Sequence, residues 1–182
     1  TYLGRGHQCY AFASADGKYV IKLPRADRYR LSFFLRACPF PQLVSRKQTV
    51  RTDIEGRQKR LFESFQIAFE ELKEETALLS IPSSQGPFSH PLVIRDRLGR
   101  RYALDPNKTP FILQERKPIM MAAFQRCVEE KNREEAHRIL DAFLQVIKVR
   151  AQKGIYNKDP SFLRNFGWDE KRGVQIDIGS FY

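Results

Sequence analysis

Residues 157 to 179 of the chain read NKDPSFLRNFGWDEKRGVQIDIG, and this stretch places three oxygen-bearing side chains in order. Asp159 follows a helical pattern and a glycine, Asn165 comes six positions later, and Asp177 closes a strand-like run. Since Mg²⁺ prefers carboxylate, amide and water oxygens, Asn165 and Asp177 predict a magnesium site bridging nucleotide phosphates. Asp159 is a candidate to accept or orient a hydroxyl proton. The structural alternative makes all three turn, cap and strand-exit residues.

A glycine-rich stretch stands at the other end of the sequence. Residues 3 to 12 read LGRGHQCYAF, and Gly4 and Gly6, spaced by one residue, let a backbone pass closely over phosphates. Lys22 ends a strand-like run after two β-branched residues, where it can reach a phosphate beneath the glycines. An ordinary hairpin turn and an exposed strand lysine are the alternatives. Together the two features predict a phosphate-binding loop with an anchoring lysine.

A buried lysine needs a carboxylate partner, because lysine is seldom fully buried unless it is paired. From Asp53 to Leu79 the apolar residues follow helical spacing without a proline, which predicts a long amphipathic helix. Among the glutamates of that helix, Glu75 lies nearest the apolar stripe, and Glu71 is the second choice. We therefore expect Glu75 to pair with Lys22.

The remaining pattern predicts strands first and helices later. An Asp-Gly turn between two short extended runs indicates a β-hairpin, and a meander of three further strands and a terminal hairpin follow the same signals. A loop with one helical turn near Leu31 to Ala37 is expected in the proline-containing stretch 24–50. The predicted strands are 10–13, 19–23, 91–95, 102–104, 110–114, 164–168 and 174–176, and the later helices are 120–131 and 132–153.

Taken in order, these motifs resemble the protein-kinase-like superfamily over nearly the whole chain. Gly4-x-Gly6 is similar to its glycine loop, Val20-Ile21-Lys22 to its Val-Ala-Ile-Lys strand, and Asp177-Ile178-Gly179 to its Asp-Phe-Gly. The resemblance implies an α+β two-lobed fold, with a mainly antiparallel sheet and one long helix, then a helical lobe with a β-hairpin. It also implies ATP and Mg²⁺ in the cleft between the lobes.

The resemblance divides the chain into a nucleotide-binding region at 1–114, a hinge at 115–118 and a partial C-terminal lobe at 119–182. It implies that the segment beginning at Gln114 and Glu115 grips adenine through its backbone. Three departures stand out: Cys9 replaces the third loop glycine, Asn157-Lys158 precedes Asp159 where the family has His-Arg, and one extra residue separates Asp159 from Asn165. The family also continues well beyond its Asp-Phe-Gly, so we expect missing segments or a reduced relative.

Composition limits the partners and the compartment. The 182 residues carry 32 Lys and Arg against 21 Asp and Glu, a net charge of +11 that attracts anionic partners. Three widely spaced cysteines and three histidines exclude a disulfide framework and make a zinc site improbable, so we expect a cytoplasmic protein. A basic belt, which a solvated face also explains, predicts docking on nucleic acid or an anionic membrane. Its members are Arg25, Arg28, Arg30, Arg36, Arg46, Lys47, Arg51, Arg57, Lys59 and Arg60.

Two functions are compatible with the sequence. The first is an ATP-dependent phosphotransferase that moves the γ-phosphate to a hydroxyl of a protein Ser/Thr or of a small molecule. The second is a catalytically inactive, kinase-like nucleotide-binding or interaction module. Both predict a cleft that binds nucleotide, and only the first predicts phosphate transfer.

Overall fold

The computed structural model describes residues 1–29 and 44–182 and shows an α+β protein, with an antiparallel sheet at the N-terminal end and a helical region after it. This confirms the predicted class. The strands are β1 (Tyr2–Arg5), β2 (Cys9–Ala13), β3 (Tyr19–Pro24), β4 (Leu78–Ser80), β5 (Leu92–Arg95), β6 (Arg101–Leu104), β7 (Ile112–Glu115), β8 (Phe166–Trp168) and β9 (Gly173–Gln175). The helices are α1 (Val44–Glu71), α2 (Lys73–Thr76), α3 (Met120–Glu129), α4 (Arg133–Gln152) and α5 (Phe162–Asn165), with 3₁₀ turns at Ala26–Arg28 and Pro82–Ser84.

The main sheet has five strands in the order β1-β2-β3-β7-β4, and its named pairs are antiparallel. The predicted hairpin between β2 and β3 is confirmed, and Gly17 takes the positive φ of 72° that its turn requires. The glycine stretch differs from expectation because it also forms a strand. Gly4 of β1 pairs with Ala11 of β2, so the glycine loop is the turn of a second hairpin.

The long helix starts earlier and ends earlier than its hydrophobic pattern predicts. Helix α1 runs from Val44 to Glu71, and the chain then leaves helical geometry at Leu72 before the single turn of α2. Ala77 adopts the left-handed conformation, with φ of 49°, and the backbone enters β4. Leu72 stays buried at this break, and in β4 Leu78 is buried whereas Leu79, the last residue of the predicted apolar stripe, is 38% exposed. The helical turn predicted near Leu31 to Ala37 lies outside the described residues.

The predicted three-stranded meander is wrong. Strands β5 and β6 form a separate two-stranded sheet, whereas β7 inserts between β3 and β4 of the main sheet. The burial pattern explains the difference: Ile112 and Gln114 of β7 are buried and the residues that alternate with them are partly buried, while β5 and β6 contain only partly buried and exposed residues. A strand with one face buried and the other face partly covered fits the interior of a sheet.

The helical region follows the predicted pattern closely. Helices α3 and α4 lie where they are predicted, and the side chain of Asn132 caps α4 by accepting a hydrogen bond from the backbone of Glu135. Gly154, with φ of 69°, follows the end of α4. The terminal hairpin is shorter than predicted, because the residues before β8 form the helical turn α5.

One hydrophobic core joins the sheet to the end of the chain. Leu61 and Phe65 of α1, and Leu72 just after it, pack with Ile112 of β7 and with Ile178, just after β9. The helices have their own core around Met120 and Phe166, and a third cluster lies beneath the β5–β6 hairpin. Within the described ranges, no helix combines the length and apolar character needed to span a bilayer.

Candidate active site

An open cavity of about 380 Å³ lies between the β1–β2 hairpin and the segment that follows β9. Its wall is mixed, with backbone and polar atoms from both ends of the chain. It brings together Gly6, which is one of the two loop glycines, the predicted anchoring lysine, and all three of the oxygen-bearing residues that the sequence predicts. The lining residues are Arg5, Gly6, His7, Gln8, Cys9, Ala11, Lys22, Phe65, Asp159, Arg164, Asn165, Ile176, Asp177, Ile178 and Gly179.

The turn of the β1–β2 hairpin is braced from behind by an arginine. Arg25 is buried, with 8% of its surface exposed, and its Nη1 donates to the carbonyls of Gly6 and His7 at 3.3 Å each. A second anchor comes from the turn itself, because Gln8 Nε2 donates to the carbonyl of Gly179 at 2.7 Å. Arg25 is therefore a buried residue that holds the hairpin turn. Its inclusion in the predicted basic belt is wrong.

Lys22 extends from β3 toward the residues just after β9. Its Nζ donates a hydrogen bond to the carbonyl of Ile176. Burial lowers the pKa of Lys22 below its ordinary value, while the negative charge of Asp177 acts in the opposite direction. The lysine and the aspartate that the sequence places 155 positions apart, from 177 − 22, thus face the same cavity.

Glu75 is not the partner of Lys22, and this correction follows from the break at Leu72. Glu75 belongs to the separate turn α2 and lines a different groove, together with Ala142 and Val146 of α4. Glu71, the second choice, lies at the exposed end of α1, where its carbonyl accepts a hydrogen bond from Lys153.

The face of α1 that meets the cavity carries other residues. Phe65 lines the cavity, and the hydroxyl of Ser64 donates to the carbonyl of Ile178 at 2.6 Å. The same oxygen accepts a hydrogen bond from the backbone of Phe181 at 2.7 Å. Helix α1 therefore holds the segment after β9 through a buried hydroxyl and apolar packing.

Asn165 and Asp159 are held to each other through the loop between α4 and α5. Asn165 is buried, and its Nδ2 donates to the backbone carbonyl of Asp159 at 2.8 Å. The backbone of Asp159 also donates to Asn157 Oδ1 at 3.0 Å. Because the Nδ2 of Asn165 is used in this way, its Oδ1 is the atom left to bind a cation.

Asp177 lies exposed in the cavity wall just beyond β9. Its Oδ1 accepts a hydrogen bond from the backbone of Gly179 at 3.3 Å, and its carbonyl accepts one from Gln175 Nε2, also at 3.3 Å. In the described part of the chain, no group of three His, Cys, Asp or Glu is arranged to hold a metal. Two oxygen ligands suit Mg²⁺, which takes its remaining ligands from phosphate and water.

The predicted hinge residues lie outside the lining of this cavity, as far as the structure describes it. Gln114 is buried in β7, and its Nε2 donates to the carbonyl of Thr76 at 2.5 Å. The backbone amide of Glu115 donates to Ala77, and that of Arg116 donates to Lys18. Pro118 has no amide hydrogen. In this segment the backbone amide of Lys117 is therefore the donor for which the described contacts show no acceptor.

The side chain of Lys117, in the predicted hinge, forms two ion pairs. Its Nζ lies 2.8 Å from Glu115 and 2.9 Å from Asp169. A Cβ at Gly167 would stand 2.6 Å from the Cβ of Lys117, so glycine is required for this close approach. The hydrogen bond that Lys117 donates to Glu115 raises the pKa of Lys117, and the one that it donates to Asp169 adds to the effect.

Several lining residues had no signal in the sequence that we used. Gln8 follows the glycines and Arg164 directly precedes Asn165, so position alone marks them as neighbours of the site. Cys9 is a poor nucleophile, because burial raises the pKa of its thiol to about 12. The buried Arg150 was also missed; it donates to Gln175 Oε1 at 2.6 Å and so supports the strand that leads to Asp177.

Comparison with known proteins adds little to this description. No family model and no curated protein matches the chain. The crystal structure of WbdD aligns with a TM-score of 0.46 and 15% sequence identity. That alignment covers all of this chain and 32% of the WbdD chain. A likeness of this degree shows neither a fold family nor an activity.

Proposed function

We propose that the chain has a protein-kinase-like fold, binds a magnesium nucleoside triphosphate such as ATP, and transfers its γ-phosphoryl group to a hydroxyl. One observation carries the proposal: Lys22, Asp159, Asn165 and Asp177 line a single cavity beneath a glycine-containing hairpin turn. Chance convergence of these residues is improbable, because Lys22 is separated from the other three by more than 130 positions in the sequence.

Each residue has a distinct task in this proposal. The hairpin turn after Gly6 presents its backbone to the phosphates, while the amide of Gly6 itself donates to the carbonyl of Cys9 at 2.9 Å, and Lys22 neutralises part of the phosphate charge. Asn165 and Asp177 hold the metal, which would neutralise charge that develops on the phosphate oxygens. Asp159 orients the acceptor hydroxyl and takes its proton as the new P–O bond forms. At the same time the bond between the γ-phosphorus and the bridging oxygen breaks, and the nucleoside diphosphate leaves with that oxygen.

Lys22 must exchange partners when phosphate binds. Its Nζ now donates to the carbonyl of Ile176, and a phosphate oxygen is a stronger acceptor than a neutral carbonyl. Asp177, which counteracts the effect of burial on Lys22, keeps the ammonium form more favourable. The site therefore holds the lysine near the position where the phosphates are needed.

Thermal shift with ATP and Mg²⁺ tests the binding step. A ligand at 100 times its Kd adds about 2.7 kcal/mol to the stability of the folded state. For a chain of this size that raises the Tm by roughly 5 to 10 °C. We expect this shift for the wild type and a much smaller one for Lys22→Ala and for Asp177→Ala. Equal shifts in all three proteins would refute the site.

The absent helix carboxylate favours the alternative, an inactive nucleotide-binding module. Phe65 represents α1 in the described lining of the cavity, its neighbour Ser64 bonds the carbonyl of Ile178, and Glu75 lies elsewhere. Because no carboxylate of α1 is among the described residues that line the cavity, Lys22 depends on Asp177, the residue that would also bind metal. Transfer of ³²P from ATP to any hydroxyl acceptor distinguishes the two functions. A Mg²⁺-dependent thermal shift with no transfer and no ATP hydrolysis would favour the inactive module.

A further inference from the structure

A second pocket, of about 210 Å³, adjoins the cavity and is strongly basic. The two spaces share His7, Gln8 and Gly179 in their walls, and the Gln8–Gly179 hydrogen bond stands between them. The volume of this second pocket is well above the roughly 30 Å³ that a water molecule occupies in the liquid. The lining residues are His7, Gln8, Arg28, Tyr29, Arg57, Arg60, Leu61, Glu63, Ile67, Lys158, Gly179, Ser180, Phe181 and Tyr182.

The positive charge of this pocket is largely uncompensated. Of the described residues in its lining, four have cationic side chains and one, Glu63, has a carboxylate, which lies 3.7 Å from Lys59 outside the pocket. Arg57 and Arg60 are three residues apart on α1, a spacing at which like charges destabilise a helix. Among the described residues, neither guanidinium has a carboxylate within ion-pair distance. A bound anion would remove this repulsion.

Two of the cations are already held in position. Arg28 Nη1 donates to the carbonyl of His7 at 2.9 Å, which fixes its guanidinium beside the hairpin turn. The Nζ of Lys158 stands 4.8 Å from the ring centroid of Tyr182, and the Lys158 backbone donates to Ser180 at 3.2 Å. Cations that are fixed before binding lose less side-chain entropy when an anion arrives.

The order of the residues links this pocket to the proposed chemistry. Lys158 lines the basic pocket and Asp159, the next residue, lines the cavity. An anionic group bound at Lys158 therefore places the rest of its molecule one residue away from the group that would orient a hydroxyl. A phosphomonoester suits the pocket better than a carboxylate, because its three terminal oxygens can meet several cations from different directions.

We infer that the basic pocket binds a phosphate group that the acceptor already carries, so that the acceptor is a small phosphorylated polyol. The inference rests on the proposed function for the role of the bound molecule, but the pocket can be tested without nucleotide. The binding probe is glycerol 3-phosphate, with glycerol as the matched ligand that lacks the anion. Binding should weaken as salt increases, since partly exposed cations are screened.

The test compares two variants that each lose two charges from the exposed face of α1. Arg57→Gln/Arg60→Gln removes cations that line the pocket, and Arg46→Gln/Arg51→Gln removes cations outside its lining. We expect glycerol 3-phosphate to bind at least tenfold more weakly to the first variant and within threefold of wild type to the second. Far-UV circular dichroism and urea unfolding check that both variants fold. Equal weakening in both, or in neither, would overturn the pocket.

Failure of the proposed function gives a different result. If Mg-ATP produces no thermal shift while the Arg57→Gln/Arg60→Gln variant still loses the probe selectively, the pocket stands and phosphotransfer falls. If transfer occurs, the same variant should raise the KM for a phosphorylated polyol and leave the Mg-ATP thermal shift unchanged. An unphosphorylated polyol used equally well by both proteins would overturn the assignment of the acceptor class.

Discussion

The two ends of the nucleotide-binding region proposed here differ in how far their polar groups are already used. At the phosphate end, Asp177 is exposed in an open cavity and Lys22 is held by a single neutral carbonyl. At the hinge end, Lys117 lies between Glu115 and Asp169, and its methylene packs against Gly167. The first end leaves charged groups facing an open cavity, whereas the second pairs its charges within the protein.

The difference has a consequence for recognition. The backbone amides of Glu115 and Arg116 serve the sheet and the β3 turn, so Lys117 supplies the free donor that a base would need. In the proposed function, triphosphate and metal would meet side chains that have weaker or fewer partners. We therefore infer that the phosphate end supplies most of the binding energy and that the hinge end adds a smaller share.

The largest effect is expected from Asp177→Asn, which removes the charge that would bind Mg²⁺ and keeps the shape of the side chain. We expect phosphate transfer to fall by at least about 100-fold, equivalent to about 2.7 kcal/mol of transition-state stabilisation. The Mg²⁺-dependent part of the ATP thermal shift should disappear as well. Steady-state kinetics and thermal shift across a Mg²⁺ series measure both effects.

Asp141→Asn is the matched control for this change, because Asp141 is an exposed aspartate on α4. It should leave both the transfer rate and the thermal shift at the wild-type level. Transfer that survives in Asp177→Asn at saturating Mg²⁺ would show that the metal binds elsewhere.

Residues 157 to 179 show how much of the site the sequence could predict. Asp159, Asn165 and Asp177 are close in sequence. The helical turn α5 and the β8–β9 hairpin that lie between them suffice to bring them to one cavity. The pairing of Lys22 could not be predicted in the same way. It depends on where α1 breaks. The left-handed residue that follows the break is Ala77, and not the glycine that usually marks such a position in a sequence.

Gly179 lets the segment after β9 approach the hairpin turn closely at the phosphate end. A Cβ on Gly179 would overlap the side-chain oxygen of Gln8 and stand 3.2 Å from Leu61 Cδ1. We expect Gly179→Ala to lower the free energy of unfolding by about 1 to 3 kcal/mol, the usual range for overpacking. Urea unfolding with a constant m-value measures the change.

A double-mutant cycle with Gln8→Ala separates the overlap from other effects of the added methyl group. If the Gln8 side chain causes the strain, Gly179→Ala should cost clearly less in the Gln8→Ala background. An identical cost in both backgrounds would place the strain at Leu61 instead.

Ser64 tests whether helix α1 supports the phosphate end through a hydroxyl in place of a carboxylate. Ser64→Ala removes the donor to Ile178 and the acceptor for Phe181, and it leaves two buried backbone groups without partners. We expect a loss of about 1 to 3 kcal/mol in the free energy of unfolding. Ser83→Ala, at an exposed position, should change stability by less than about 0.5 kcal/mol. A Ser64→Ala protein as stable as the wild type would show that water replaces both hydrogen bonds.

The smallest effect is expected at the hinge end, where the Lys117 ion pairs should appear in the pH dependence of stability. Burial works to raise the pKa of Asp169, but the hydrogen bonds from Lys117 and from the backbone of Arg172 outweigh it and hold the pKa below the ordinary value of 3.8. Because the folded pKa is depressed, this stabilisation is present above about pH 4 and is lost as the pH falls through the folded value.

Lys117→Met should therefore lower the free energy of unfolding by less than about 1 kcal/mol at pH 7, and the difference from wild type should shrink between pH 4 and pH 2. Urea titrations across that range measure it. Lys108→Met is the matched control, because Lys108 is 85% exposed and lies 3.5 Å from Asp105, a pair that solvent screens. A Lys117→Met curve that runs parallel to the wild type down to pH 2 would show that the backbone amides alone hold Asp169. Packing against Gly167 would then hold Lys117 in place at the hinge end. Charged groups would determine the structure at the phosphate end alone.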